Sequence, residues 1–240
     1  DISYYGATVM AGFAYAQGEF TACLTVPDGA AATDISADSV TVETIYNASA
    51  VSRVTPSKGG VSVHAVGAKA NAAVALVSVS AGAIIDGTGT LSAGTVTVEV
   101  KGTTSSLAEV RTPAFEAGVA TIAVNVILSK LSARQKAYIL GTRITGAASI
   151  TVRSELNKDK TTAATAKLHA NGGSGSVGLL NVRANIAVAL ADSESFAFVL
   201  GAPISGGALV IASDASSIAS AKIETASFSA SAASLGLNAL

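Results

Sequence analysis

Cys23, His64 and His169 are the residues of this 240-residue chain best suited to nucleophilic or proton-transfer chemistry. A thiol activated by an imidazole base can attack a carbonyl carbon, provided a third group orients the base. Cys23 lies in Thr21-Ala22-Cys23-Leu24-Thr25-Val26, where alternation predicts a small buried hydrophobe, a common role for a free cysteine. No orienting group stands out beside either histidine. A single cysteine excludes an internal disulfide and a multi-cysteine zinc site. Neither histidine falls in a metal-ligand spacing. The sequence therefore assigns no catalytic, cofactor-binding or metal-ligating residue, and the reading is of a protein that is not an enzyme and carries no cofactor.

Carboxylates are the next resource, because paired carboxylates perform the acid and base steps of glycoside hydrolysis. The eight Asp are scattered. Asp34 and Asp38 read as polar residues flanking a strand, and Asp192-Ser193-Glu194 as a solvated turn between apolar runs. Gly-Gly-x-Gly-x-Asp calcium repeats are absent. The run Asn171 to Gly178 is Gly-rich, but it lacks the Lys-Ser/Thr ending of a phosphate loop and reads as a corner, as do Gly59-Gly60 and Gly206-Gly207. Asn47-Ala48-Ser49 fits a glycosylation sequon. Asn125, Asn181 and Asn185 lie inside apolar runs, where a buried amide needs partners; a corner position bonding the next coil's backbone would supply them.

The elements that hold these residues follow from composition. Apolar residues make up 50%, aromatics 5% and charged residues 13%, with no Trp. Such a chain is too apolar for disorder. A net charge of −1 argues against a nucleic-acid binder and a polybasic membrane anchor. The uncharged stretch from Ser195 to Ser213 contains Pro203 and three glycines and reads as buried core rather than a membrane span. The chain opens Asp1-Ile2-Ser3-Tyr4-Tyr5, which is no leader pattern, and the expectation is a processed or excised piece.

Three elements recur in fixed order. Ile35-Ser36-Ala37-Asp38-Ser39-Val40-Thr41-Val42 returns from Leu91, Ile144 and Ile204, at intervals of 56, 53 and 60 residues. A second element, at Ala50, Ser106, Ala164 and Ala219, follows 15 residues later in three copies and 20 in the copy from Ile144, where the surplus is expected around Leu156 to Lys160. A third precedes the first: Ala83-Ile84-Ile85-Asp86-Gly87, Ala137-Tyr138-Ile139-Leu140-Gly141 and Ala197-Phe198-Val199-Leu200-Gly201, with Ala22 to Val26 a looser copy. Val40-Thr41-Val42 and Val96-Thr97-Val98-Glu99-Val100 alternate with period two, and their β-branched residues suit a pleated sheet.

These features predict an all-β fold: a right-handed parallel β-helix (β-solenoid) of about four imperfect repeats of 53–60 residues, with residues 1–240 a single domain. A coil of roughly 18–30 residues gives two coils per repeat and eight or nine in all. At about 4.8 Å per coil the rod would be on the order of 40 Å long. A pair of β-sandwiches is the competing layout, but Val61 to Ile85 carries too few turn signals for it.

The chain resembles the repeat region of bacterial filamentous adhesins, the leukotoxin-type filamentous adhesins and related autotransporter passengers. The resemblance runs through Gly118-Val119-Ala120-Thr121-Ile122-Ala123-Val124-Asn125-Val126-Ile127, then Ala137-Tyr138-Ile139-Leu140-Gly141 and Ile144-Thr145-Gly146, with a looser copy at Leu179-Leu180-Asn181-Val182. It covers most of the chain through the repeats, and its motifs specify fold more than function. It implies a structural or adhesive stalk segment of a secreted or cell-surface bacterial protein, with no catalytic residues to carry over. A carbohydrate-active β-helix enzyme, a polysaccharide lyase or glycoside hydrolase, is the alternative. Expected partners are a host or surface receptor or glycan, and neighbouring repeats or further copies stacked end to end on unpaired edges, the piece being an interior slice of a longer chain.

Overall fold

The computed structural model describes residues 2–27, 35–55, 62–112, 115–158, 163–170, 174–224 and 227–240. Its eleven strands are β1 (Ile2–Val26), β2 (Ile35–Val54), β3 (Ser62–Gly87), β4 (Thr90–Thr112), β5 (Phe115–Leu140), β6 (Arg143–Leu156), β7 (Ala164–Ala170), β8 (Ser174–Leu200), β9 (Ile204–Ala215), β10 (Ala219–Glu224) and β11 (Ser227–Ala239). All pairings are parallel. The first sheet has the order β1-β3-β5-β8-β11. In the second, β4 pairs with β2 on one side and with β6 and β7 on the other, and these carry β9 and β10. The sheets curl into a half-barrel, and the fold is a parallel β-solenoid.

The repeats of the sequence are the rungs of the structure. Ile35, Leu91, Ile144 and Ile204 share one rung. Ala50, Ser106, Ala164 and Ala219 share another. Ala22, Ala83, Ala137 and Ala197 share a third. Val42, Val98 and Val152 are all buried, and Leu91 and Ile144 are fully so. Side chains of Thr44, Ser106 and Gln135 hydrogen-bond across to Gly82, Ala75 and Ser154 respectively, so the apolar core lies between the two sheets.

Coil count departs from expectation. Each repeat supplies one coil rather than two, because the strands run 25–27 residues in β1, β3, β5 and β8 instead of a few residues each. The alternation of small and β-branched residues continues without a breaker for that length. Five stacked strands at about 4.8 Å span roughly 19 Å, not 40 Å. The solenoid is short along its axis and broad across it.

The turns from the first sheet to the second are made by one glycine column. Gly87, Gly141 and Gly201 all have positive φ, at 118°, 72° and 62°. A Cβ on Gly87 would sit 1.9 Å from the Val26 carbonyl oxygen, so no other residue closes this turn. The pair Gly206-Gly207 is not a corner: it lies inside β9, where an added Cβ would meet the carbonyl oxygens of Ala147 and Ala148 at 2.3 and 2.1 Å. These glycines let the edge strand close on β6 beside a register shift. Ser174 onward belongs to β8, while Asn171 to Gly173 and Gly59-Gly60 lie outside the described residues.

The third coil's surplus is split. One residue bulges at Gly146, and the rest falls between Leu156, where β6 ends, and Ala164, where β7 begins. Asn157, at φ 52°, seals the exit: its Oδ1 accepts from Thr104 N at 2.7 Å and its Nδ2 donates to Thr104 Oγ1 at 2.9 Å. The stretch from Ser195 to Ser213 is no buried core. Leu209, Val210 and Ile211 are each about half exposed, because β9 has a strand on one side only. No helix among the described residues is long and apolar enough to cross a membrane.

Candidate functional site

The structure separates the residues with nucleophile and base chemistry. Cys23 is exposed on the outer face of the first sheet, correcting the buried position expected for it. Its rung partner on β3 is Ile84, whereas His64 lies 20 residues earlier on that strand, beside Ser3 and Gly118. His169 is on β7 of the second sheet, with Nδ1 2.6 Å from Glu224 Oε2. The contacts of the Cys23 thiol are Thr25 and Asp86, and that of the His169 imidazole is Glu224. Among the described residues, no group of three or more His, Cys, Asp and Glu side chains could hold a metal ion.

Asp192 and Glu194 do not form a turn. They lie within β8, two residues apart on one outer face, because alternation continues through them. Glu19, Ser80, Arg134 and Glu194 occupy one rung, and Arg134 Nε is 3.4 Å from Glu194 Oε2. The two carboxylates are spaced by about 6.7 Å along the strand. They stand on the open outer face of the sheet. Asp38 is an exposed strand residue, and Asp34 lies outside the described residues.

Charges on the outer face of the second sheet neutralise one another between coils. Glu109, its side chain only 9% exposed, lies between Arg53 and Arg111, with Nε–Oε distances of 3.1 and 2.9 Å. Burial pushes its carboxyl up, but the hydrogen bond from Arg111 and the two guanidinium charges outweigh this and hold it below the usual range. Lys101 bridges Glu99 and Glu43, and its ammonium is raised chiefly by the bond to Glu99. Glu224 is lowered to about 2 by hydrogen bonds from Lys222 and His169, with Lys167 adding its charge. A cleft of 270 Å³ opens where β6 ends, lined by Tyr46, Lys101, Glu155, Asn157 and Lys158 among others. Its carboxylate and ammonium groups are already paired, and burial pushes the Tyr46 phenol up to about 12.

The first half of the first sheet is built the other way round. Its inner side holds buried amides. Asn71 Nδ2 donates to Asn125 Oδ1 at 2.8 Å, Asn125 Nδ2 to Asn185 Oδ1 at 2.7 Å, and Asn185 Nδ2 to Asn238 Oδ1 at 2.8 Å. Thr121 Oγ1 bonds Asn181 Oδ1 beside them. These asparagines are mid-strand and bond side chain to side chain, correcting the corner position expected for them. The outer side is apolar over six successive rungs, from the Tyr5–Val66–Ala120–Leu180 rung to the Tyr15–Leu76–Lys130–Leu190 rung. Lys130 is the one charge on these rungs. This surface is the feature that reasoning from motifs missed. The signal was present: in Thr121-Ile122-Ala123-Val124-Asn125-Val126-Ile127-Leu128 the outward residues are as apolar as the inward ones. A strand with one solvated face has a polar residue at every second position.

Comparison with protein-family models, with curated proteins and with solved structures returns no match.

Proposed function

We propose that this chain is a structural and adhesive segment of a secreted or cell-surface bacterial protein. The observation that carries the reading is the coincidence of sequence repeat with rung register, which makes one coil a unit that can be added without limit along the axis. The unpaired edges of β1 and β2 at one end, and of β9 to β11 at the other, would take neighbouring coils. Dispersed charges, paired across coils, suit a stalk better than a reaction centre. A cell-surface receptor or glycan would be met by the broad outer faces. The test is adhesion: beads coated with the 240-residue chain should bind cells or a glycan array saturably, with soluble chain competing. Absence of binding to every surface tried would remove the adhesive half of the reading.

One place favours the carbohydrate-active alternative: Asp192 and Glu194 beside Arg134 of the neighbouring coil. Cleavage of any member of a polysaccharide panel, abolished by Glu194→Gln with the fold intact, would replace the stalk reading.

A further inference from the structure

We infer that the apolar outer face of the first sheet is an interface between two copies of this chain, packed face to face. The inference does not rest on the adhesive reading. Six rungs about 6.7 Å apart, on strands about 4.8 Å apart, make a patch of roughly 600–800 Å². That exceeds the roughly 300–600 Å² of the largest apolar patch on a typical monomer. Val126 and Ile186, near its centre, are about 40% exposed, and Phe13 at its edge is 69% exposed. Two copies covering each other's patch would bury about 1,200–1,600 Å² in all, the range of a stable protein–protein interface. Sheets stack face to face at about 10 Å, with outward side chains interdigitating.

Charge selects the occupant. Lys130 stands on the last apolar rung, and the next two rungs carry Gln17 and Asp192, then Glu19, Arg134 and Glu194. A two-fold axis through the Val124–Val126 region places each copy's charged band beyond the partner's apolar rungs, where it stays in water. Lys130 can lay its methylenes on the patch and keep its ammonium in that band. An anionic lipid surface is the poorer match, since the six apolar rungs hold one basic residue, Lys130, and the margin beyond them sets three carboxylates against Arg134, which is already paired with Glu194. A copy stacked edge to edge is also poorer. Continuing the register would set Lys222 against Arg53 and Asn238 against Met10.

Sedimentation of the 240-residue chain over a wide concentration range tests this. The expected species is a discrete dimer, and Val126→Lys with Ile186→Lys should return the mass to 23.5 kDa while far-UV circular dichroism is unchanged. Should that variant lose its fold, a bismaleimide cross-linker with a spacer of about 10 Å, matched to the sheet separation, decides on Val126→Cys in a Cys23→Ser background: a covalent dimer is expected, and none from Thr97→Cys on the second sheet. A wild-type monomer throughout would overturn the inference. So would open-ended oligomers that persist in the lysine variant, or failure of the Val126→Cys cross-link. Vesicles of phosphatidylcholine and phosphatidylserine are the control for lipid; binding to them by a chain that stays monomeric also overturns it.

Discussion

The two sheets cover one core, yet in their outer faces and in part of their inner faces they are inverted copies of each other. In the second sheet, Val96, Val98 and Val100 point inward and Thr97, Glu99 and Lys101 outward. In the first half of the first sheet, Thr121 and Asn125 point inward while Ile122, Val124 and Val126 point outward. Parallel pairing fixes the period of two and the rung register, but it does not fix which parity is apolar. A sheet facing water on one side needs the pattern of the second sheet. The pattern of the first bonds its amides to each other inside and leaves apolar side chains outside. The difference teaches that the fold is written in rung identity and the interaction surface in parity.

The sharpest break of the second sheet's polarity is Val98→Asp. Val98 is fully buried between Val42 and Val152 on the neighbouring coils. An unpaired carboxylate there should cost more than about 4 kcal/mol and unfold the chain or leave it insoluble. Thr97→Asp, one residue away, should change stability by no more than about 0.5 kcal/mol, as outward substitutions do. Urea unfolding of both compares them directly. Similar losses at the two positions would mean that the inward parity of this sheet is wrong.

Asn125→Ala should break the first sheet's inverted pattern next. It strips Asn71 Nδ2 of its acceptor and Asn185 Oδ1 of its donor. An orphaned buried polar group costs about 1–3 kcal/mol, so a loss of about 2–4 kcal/mol is expected in the same unfolding experiment. A loss below about 1 kcal/mol would mean that water already satisfies the amides and that this side is not sealed.

These contrasts bear on what the sequence could reveal. The three recurring elements located the rungs to the residue, because each strand lies on its own copy one repeat later and like side chains fill like space. Coil length was not legible: a 25-residue strand and two short ones share the same alternation, and among the described residues the column of Gly87, Gly141 and Gly201 marks where the chain turns from the first sheet to the second. Asp192 and Glu194 misled as a turn because charge alone does not stop a strand whose neighbours fix its backbone. The amide ladder was unreadable because Asn71, Asn125, Asn185 and Asn238 are 53–60 residues apart and meet only once the register is known. The apolar surface hid in the overall hydrophobicity, where an outward valine looks like an inward one.

A smaller change should strengthen the inverted face. Asn71 Oδ1 is buried without a hydrogen bond, and its rung neighbour on β1 is Met10. The ladder donates in one direction, from each Nδ2 to the Oδ1 one coil later, so an amide at position 10 would donate to Asn71 in the same sense. Met10→Asn should raise stability by about 1 kcal/mol, the usual net value of one hydrogen bond. No gain, in a variant whose dichroism is unchanged, would show that the ladder is already complete at Asn71.

The smallest effect concerns the ion pairs of the second sheet. Glu109 is held below the ordinary carboxylate range in the folded chain, so the folded state binds fewer protons at that site than the unfolded state. Its contribution is fully present above about pH 4.3, the unfolded value for Glu. It is lost as pH falls through the lower folded value. Both arginines are about half exposed, so screening limits the contribution to about 1 kcal/mol or less. Glu109→Gln should therefore lie below the wild type in unfolding free energy at pH 7 and approach it as pH falls below the ordinary carboxylate range, with the gap narrowing as salt is added. A gap that persists unchanged at low pH would show that Glu109 acts through packing under the two arginines rather than through its charge. The ion-paired outer face would then contribute to stability by covering the sheet, as the apolar face does when a partner lies on it.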